Sequence, residues 1–302
     1  MCGIVGLHLR GERLADRTGD LLARMLVQVA DRGPDSAGVG LYGDAGLTPP
    51  GLSTVSLLSG LSPPAIAADL DLPAACPDPV VRAVAGVRTV SADLPVAGLE
   101  AALEAAVRAG LDGTVIGAGE RLAVLKGIGS PPDLVDSFDL RSRGGYQAVG
   151  HTRMATESAV TGSHGHPFSV RPGTCLVHNG SFSNHDTVRR ELHARGVRCR
   201  TDNDSEVAAG FLGLCLDGGN DLEASLRLLV ERFEGFFTLL VTTDTEFAVV
   251  RDRISAKPAV LAETDDWVAM ASEYRALAVL PGIEDAHVYE PGPEEVHLWV
   301  RQ

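Results

Sequence analysis

Short apolar runs with strand character crowd the last third of the chain and set its fold class. Residues 236–243, 246–251, 259–261, 267–271, 287–289 and 296–300 each read as a strand. Earlier strands are expected at 37–42, 114–116, 121–125, 146–153 and 174–178. Helices fall between them. In 18–30, Leu21, Leu22, Met25, Leu26 and Val29 recur at helical spacing ahead of a Gly33-Pro34 stop, and 96–109 is Ala-rich and closed by Gly110. Further helices are expected at 186–194, 205–216 and 222–233. Many antiparallel-type strands with a few amphipathic helices predict a layered α+β protein, helices packed on sheets. Residues 44–79 are rich in Gly, Pro, Ser and Ala without a long period, and read as loop or insertion.

A net charge of −14 argues against nucleic acid or an anionic membrane as the main partner. No apolar run approaches the roughly 20 residues of a membrane span, and the first residues lack a signal-peptide pattern. The expected location is the cytoplasm. Five cysteines, an odd number without a C-x-x-C, are expected to be reduced thiols. Cys76, Cys175, Cys199 and Cys215 read as bystanders.

Cys2 needs a separate account, because it stands directly behind Met1 and ahead of the apolar stretch Gly3-Ile4-Val5-Gly6-Leu7. That stretch reads as a strand start, which would tie the terminus into a sheet. The cysteine then either packs as a small hydrophobe or is displayed as a nucleophile. If Met1 is removed, amine and thiol belong to one residue. An α-amine ordinarily titrates at about 7.7–8.0 and a thiol at about 8.5. The amine can therefore take the thiol proton, directly or through a water, and later return it to a leaving amine.

Eight further stretches follow in order: "RGPDSAG" at 32–38, "GHTRMAT" at 150–156, "HPF" at 166–168, "HNG" at 178–180, "DNDSE" at 202–206, and then "RD", "KP" and "ASE" at 251–252, 257–258 and 271–273. With the N-terminal cysteine, this series resembles the class II glutamine amidotransferases, glutaminase domains of the N-terminal-nucleophile hydrolase type. The resemblance covers the chain except roughly 44–119. It implies a four-layer αββα sandwich with an α/β insertion, and one amidotransferase domain over 2–302 with Met1 removed.

The same resemblance implies roles for residues. Cys2 would be the nucleophile, and the Asn179 amide with the Gly180 N–H would bind the oxyanion. Arg153 would hold the substrate carboxylate, for which a guanidinium offers a two-point fork. Asp204 would hold the ammonium, Thr156 would support the substrate or the cysteine, and Arg32 would brace the nucleophile's end of the pocket. Other readings stay open beside these. Arg153 could be a surface ion-pair partner, Asn179-Gly180 a hairpin turn, and Asp204 a helix N-cap. The spacing of His151, His164, His166 and His178 fits no common zinc pattern, and His166 and His178 read as supporting or packing residues. Arg251-Asp252 reads as a strand-end ion pair. Met154 and Glu157 depart from the family, where Trp or Tyr and His are common, and this bears on the pocket wall.

The family's larger members join the glutaminase to a synthase. No dinucleotide fingerprint, P-loop or second domain is found here, so the acceptor chemistry is expected on another polypeptide. The layout resembles the stand-alone subunit of glutamate-synthase-like systems, N-methylglutamate synthase among them. That implies L-glutamine as substrate, no cofactor, and as partners a flavin subunit and a β-helix subunit. The insertion could cover the site or dock such a partner. A noncatalytic binding subunit with a degenerate fold, or an amidase for another amide, are the alternatives. Neither is favoured by a chain that keeps Cys2, Asn179, Gly180, Arg153 and Asp204.

Overall fold

The computed structural model describes residues 2–73, 76, 78–154 and 161–301. Strand β1 (Gly3–Leu9) is buried along its whole length. It is covered on both faces, which is why it reads as a continuous apolar run and not as an alternating one. Helix α1 (Thr18–Gln28) lays Leu21, Leu22, Ala23, Met25 and Leu26 into the core, each buried Leu or Met contributing about 1.5–3 kcal/mol. Strand β2 (Ser36–Tyr42) follows.

Between β2 and its hairpin partner lies an inserted unit of β3 (Ser53–Leu58), α2 (Pro63–Asp69), β4 (Val80–Val84), β5 (Val87–Ala92), α3 (Val96–Ala109) and β6 (Thr114–Gly119). Its strands form a four-stranded sheet in the order β4-β5-β3-β6. It has a core of its own, in which Leu99 and Leu103 of α3 pack with Val55, Leu57 and Val90. The partner strand β7 (Leu122–Ile128) pairs with β2 from Ser36↔Ile128 to Tyr42↔Leu122, as a plain antiparallel neighbour. The loop expected across 44–79 thus contains a strand and a helix. Helix α2 starts at a Ser62 cap that accepts from the Ala65 N–H, followed at once by Pro63 and Pro64. Proline is tolerated at the first helical position, where its missing N–H has no partner to lose. Helix α4 (Pro131–Ser137) starts the same way, on Ser130.

The remaining elements are β8 (Gln147–Arg153), β9 (Cys175–Phe182), α5 (His185–Ala194), α6 (Asp204–Asp217) and α7 (Leu222–Arg232). They are followed by β10 (Gly235–Thr242), β11 (Glu246–Arg251), β12 (Val260–Glu263), β13 (Trp267–Ala271), α8 (Tyr274–Leu277), β14 (His287–Tyr289) and β15 (Val296–Val300). Among the described residues, one sheet has seven strands in the order β14-β12-β13-β1-β8-β2-β7, and a second has four in the order β15-β11-β10-β9. The two sheets pack face to face. Cys175, Val177, Leu240, Phe247 and Val249 of the second sheet share one core with Ile4, Val5 and Leu7 of the first. The approach is close: a Cβ on Gly6 would stand 2.4 Å from Leu240 Cδ2. On the far face of the second sheet, Val188, Leu192, Leu212, Leu226 and Leu229 of α5–α7 cover Leu176, Phe182 and Leu239. Helix α1 covers the first sheet, which completes the four-layer αββα sandwich. Among the described residues no helix is long and apolar enough to cross a membrane.

Candidate active site

Because β1 and β8 run antiparallel, the start of one meets the end of the other. Gly3 lies opposite Thr152, and Arg153 lies opposite Ser36 of β2. Cys2, Arg153 and the turn before β2 therefore share one end of the first sheet. Strand β9 of the second sheet brings Asn179 to the same end. The Cys2 carbonyl accepts from Arg32 Nε at 2.9 Å and from Asn179 Nδ2 at 3.2 Å. The next two amides are held as well, Gly3 N–H by Thr152 Oγ1 at 3.1 Å and Ile4 N–H by Ser272 Oγ at 2.9 Å. The Thr152 hydroxyl in turn donates to Val29 O at 3.1 Å. The thiol is free and half-buried. This terminus is fixed by its backbone, and its side chain is not consumed in packing.

Arg32 is itself held. Its Nη1 reaches Glu273 Oε1 at 2.6 Å, and the other Glu273 oxygen meets Arg275 Nε at 2.6 Å. The guanidinium so placed braces Cys2 through the main chain. Thr152, Ser272 and Glu273 all lie inside the conspicuous sequence stretches, yet no role could be read for them. Their contacts join residues up to 268 positions apart.

Asn179 and Gly180 do not form a turn. They lie within β9, opposite Thr238 and Phe237 of β10, and the strand continues to Phe182. Gly180 has φ +149°, and a Cβ there would stand 2.0 Å from Phe236 O, so only glycine fits. The expectation that β9 ends at 178 fails on this residue: a positive-φ glycine is here accommodated inside the ladder. Arg153 is 5% exposed, so it is not a surface side chain. Asp204 is not the cap of α6. Asn203 caps it, accepting from Ser205 N–H at 2.9 Å. Asp204 is left to accept from Phe182 N–H at 3.0 Å on Oδ2 and from the Ser205 hydroxyl at 3.2 Å on Oδ1. Arg251 and Asp252 do not pair with each other. Arg251 donates to the Pro291 and Ser255 carbonyls, while Asp252 accepts from Phe237 N–H at 2.9 Å and Ile254 N–H at 2.7 Å. Asp252 thereby pins β10 beside Gly180. Thr156 and Glu157 lie outside the described residues.

The chain matches the family described as "Glutamine amidotransferase domain" over residues 136–291. It is 46% identical over 304 residues to the Glutamine amidotransferase-like protein GlxB of Rhizobium meliloti (strain 1021), covering 100% of this chain and 99% of that one. The chain belongs to the class II glutamine amidotransferases. Over 130 residues the amidotransferase is 34% identical to a glutamine--fructose-6-phosphate aminotransferase of Thermococcus kodakarensis, covering 43% of this chain and 22% of that one. Its fold is similar to that of the glutamine phosphoribosylpyrophosphate amidotransferase of B. subtilis, with a TM-score of 0.62 at 18% identity. The match covers 98% of this chain and 47% of that structure, so the amidotransferase spans about half that length.

Behind the site of this amidotransferase lies a buried group of imidazoles. His151 Nε2 donates to the His178 carbonyl at 3.0 Å, bridging the two sheets, and His166 packs at a tilt on His151 with ring centres 4.0 Å apart. Burial pushes His151 down to about 3 and lowers His166 and His178 as well. These rings are neutral at pH 7. His164 sits apart, on Asp202 Oδ1 at 2.9 Å. Among the described residues no three His, Cys, Asp or Glu side chains are grouped to hold a metal. A cavity of about 1190 Å³ lined by Asp44, Arg121, Tyr146 and Arg301 lies at the opposite end of the strands from Cys2, where β8 begins.

Proposed function

We propose that this amidotransferase hydrolyses the side-chain amide of L-glutamine through a thioester on Cys2, and passes the ammonia to a synthase on a separate subunit. The observation that carries the reading is the double grip of Arg32 and Asn179 on the Cys2 carbonyl, which fixes a half-buried, free thiol where the two sheets meet. The groups that hydrogen-bond Cys2 among the described residues are donors to its carbonyl. The base is then the Cys2 α-amine, freed when Met1 is removed. It takes the thiol proton as sulfur attacks the amide carbon, and the carbonyl electrons move onto oxygen. An Asn amide has two N–H groups. One serves the Cys2 carbonyl, and the other, with the Gly180 N–H, serves the oxyanion. Collapse breaks the C–N bond, and the amine returns its proton to the departing ammonia. Water then attacks the thioester, giving glutamate and the free thiol. Arg153 takes the substrate carboxylate, Asp204 its ammonium, and Thr156 supports the substrate or the cysteine.

The surface supports a partner that covers the site. Among the described residues nine large hydrophobic side chains are exposed, and five of them lie at the Cys2 end of the strands: Ile128, Met154, Phe236, Ile254 and Tyr274. Apolar side chains gathered at one mouth mark an interaction surface. The inserted unit lies instead beside β7, three places along the sheet from β1, so the rim is the better docking candidate. The layout's resemblance to glutamate-synthase-like systems, with a flavin subunit and a β-helix subunit, names the class of synthase.

The test compares protein whose chain starts at Cys2 with protein carrying a residual N-terminal extension. The first should release glutamate and ammonia in equal amounts from L-glutamine, and far less from asparagine or from glutaramate, which lacks the α-ammonium. The extended form should be inactive. Full turnover with the amine blocked would remove the amine from the mechanism, and equal turnover of all three amides would remove glutamine as the substrate.

A further inference from the structure

The geometry points to His178 as a positioning residue that holds the Asp204 carboxylate for the substrate ammonium through the Ser205 hydroxyl. This rests on the reading of Asp204 as the ammonium's partner. His178 Nδ1 lies 2.8 Å from Ser205 Oγ, and Ser205 Oγ lies 3.2 Å from Asp204 Oδ1. A serine hydroxyl carries one proton, and an ionised carboxylate can only accept. With that proton directed to Asp204, the hydroxyl oxygen accepts from the imidazole, so the ring proton sits on Nδ1. The other ring nitrogen agrees. His178 Nε2 is buried, has no hydrogen-bond partner among the described residues, and stands 2.9 Å from where a Gly180 Cβ would be. A proton there would be an unmet buried donor, whereas a bare lone pair is the cheaper state.

The relay therefore has a direction, from His178 N–H to Ser205 O–H to Asp204. Its far end is fixed by Phe182, whose N–H donates to Asp204 Oδ2 at 3.0 Å. Its near end is fixed twice. The imidazole stacks on the Phe182 ring with centres 4.4 Å apart, and the His178 carbonyl accepts from His151 Nε2 at 3.0 Å. Each Asp204 oxygen accepts one of these bonds and keeps a lone pair, which a substrate ammonium can meet. Asn179, the next residue along β9, points to the other face, onto Cys2. One strand thus orders the nucleophile on one side and the ammonium subsite on the other.

Steady-state kinetics of His178→Leu, His178→Asn and Ser205→Ala with L-glutamine and with glutaramate test this. His178→Leu and Ser205→Ala should each raise the glutamine KM about 10-fold or more while kcat changes less than about 3-fold. Glutaramate kcat/KM should stay within about 2-fold, since it has no ammonium to place. His178→Asn, which keeps an N–H near the Nδ1 position, should bring KM back to within about 3-fold of the parent. The double variant His178→Leu/Ser205→Ala should be no worse than either single one. If His178→Leu does not fold, Ser205→Ala carries the same comparison with a smaller change. Asp204→Asn separates the two levels. It should weaken glutamine and spare glutaramate; an equal effect on both would overturn the ammonium reading and the relay with it. If Asp204→Asn behaves so, but the His178 and Ser205 variants affect both amides alike or neither, the relay is wrong and the ammonium reading stands.

Discussion

Cys2→Ala, in protein processed to begin at that residue, should bind L-glutamine with a Kd close to the parent's and turn it over at least about 10⁴-fold more slowly. The separation of binding from chemistry follows from how the residue is held. Arg32 and Asn179 grip its carbonyl, Thr152 grips the Gly3 amide and Ser272 the Ile4 amide, so every one of these bonds survives loss of the sulfur. The thiol is half-buried and makes no structural pair. Stability should therefore change by no more than about 0.5 kcal/mol. Isothermal titration with glutamine, a thermal melt and an ammonia assay on the same preparation check the three parts. A variant that lost binding and melting temperature together with activity would show Cys2 to be a packing residue.

The second large effect belongs to Asn179→Ala. Loss of one oxyanion donor removes about 3–4 kcal/mol of transition-state stabilisation. Here the same amide also donates to the Cys2 carbonyl at 3.2 Å, so the variant also loosens the nucleophile. The expected result is a fall in kcat of at least about 10²–10³ with KM little changed. Asn179→Asp is the informative companion. It keeps the shape but puts a carboxylate against both the Cys2 carbonyl and the oxyanion, and should be as slow as alanine or slower. If kcat held in both while KM rose, Asn179 would be a binding residue.

The parts of this protein that depend on neighbours in sequence were readable from it. The apolar face of α1 and the buried run of β1 announce themselves, and the layered α+β class follows from the strand runs of the C-terminal third. The site stretches were visible too, because each is short and carries its own residue types. What escaped was decided by distant chain. Asn179-Gly180 looks like a turn because its partners, Thr238 and Phe237, come from a strand far along the sequence, and Asp252 holds that strand in place. Arg251 beside Asp252 looks like an ion pair, yet each finds better partners in loops that fold over it. Asp204 looks like a cap because a neighbour with the same competence, Asn203, takes that role and frees it. The Ser-Pro-Pro start of α2 was hidden by a Pro-rich composition read as loop, although proline breaks a helix in its interior and is tolerated at its first residue. Ser272 lies in a conspicuous stretch, but its hold on Ile4, 268 positions away, has no local mark.

In the proposed mechanism one thiol of five, at position 2, forms the bond to the substrate. Treatment of the processed protein with 6-diazo-5-oxo-norleucine, a glutamine-like electrophile, followed by intact mass and peptide mapping, tests it most directly. Burial keeps three of the four competing thiols in the less reactive protonated form: it pushes Cys175 up to about 12 and Cys199 up to about 11, and raises Cys215 as well. A single adduct is expected, on Cys2, formed in step with loss of glutaminase activity and slowed by added L-glutamine. An adduct on Cys76, Cys175, Cys199 or Cys215 with Cys2 unmodified and activity lost would contradict it.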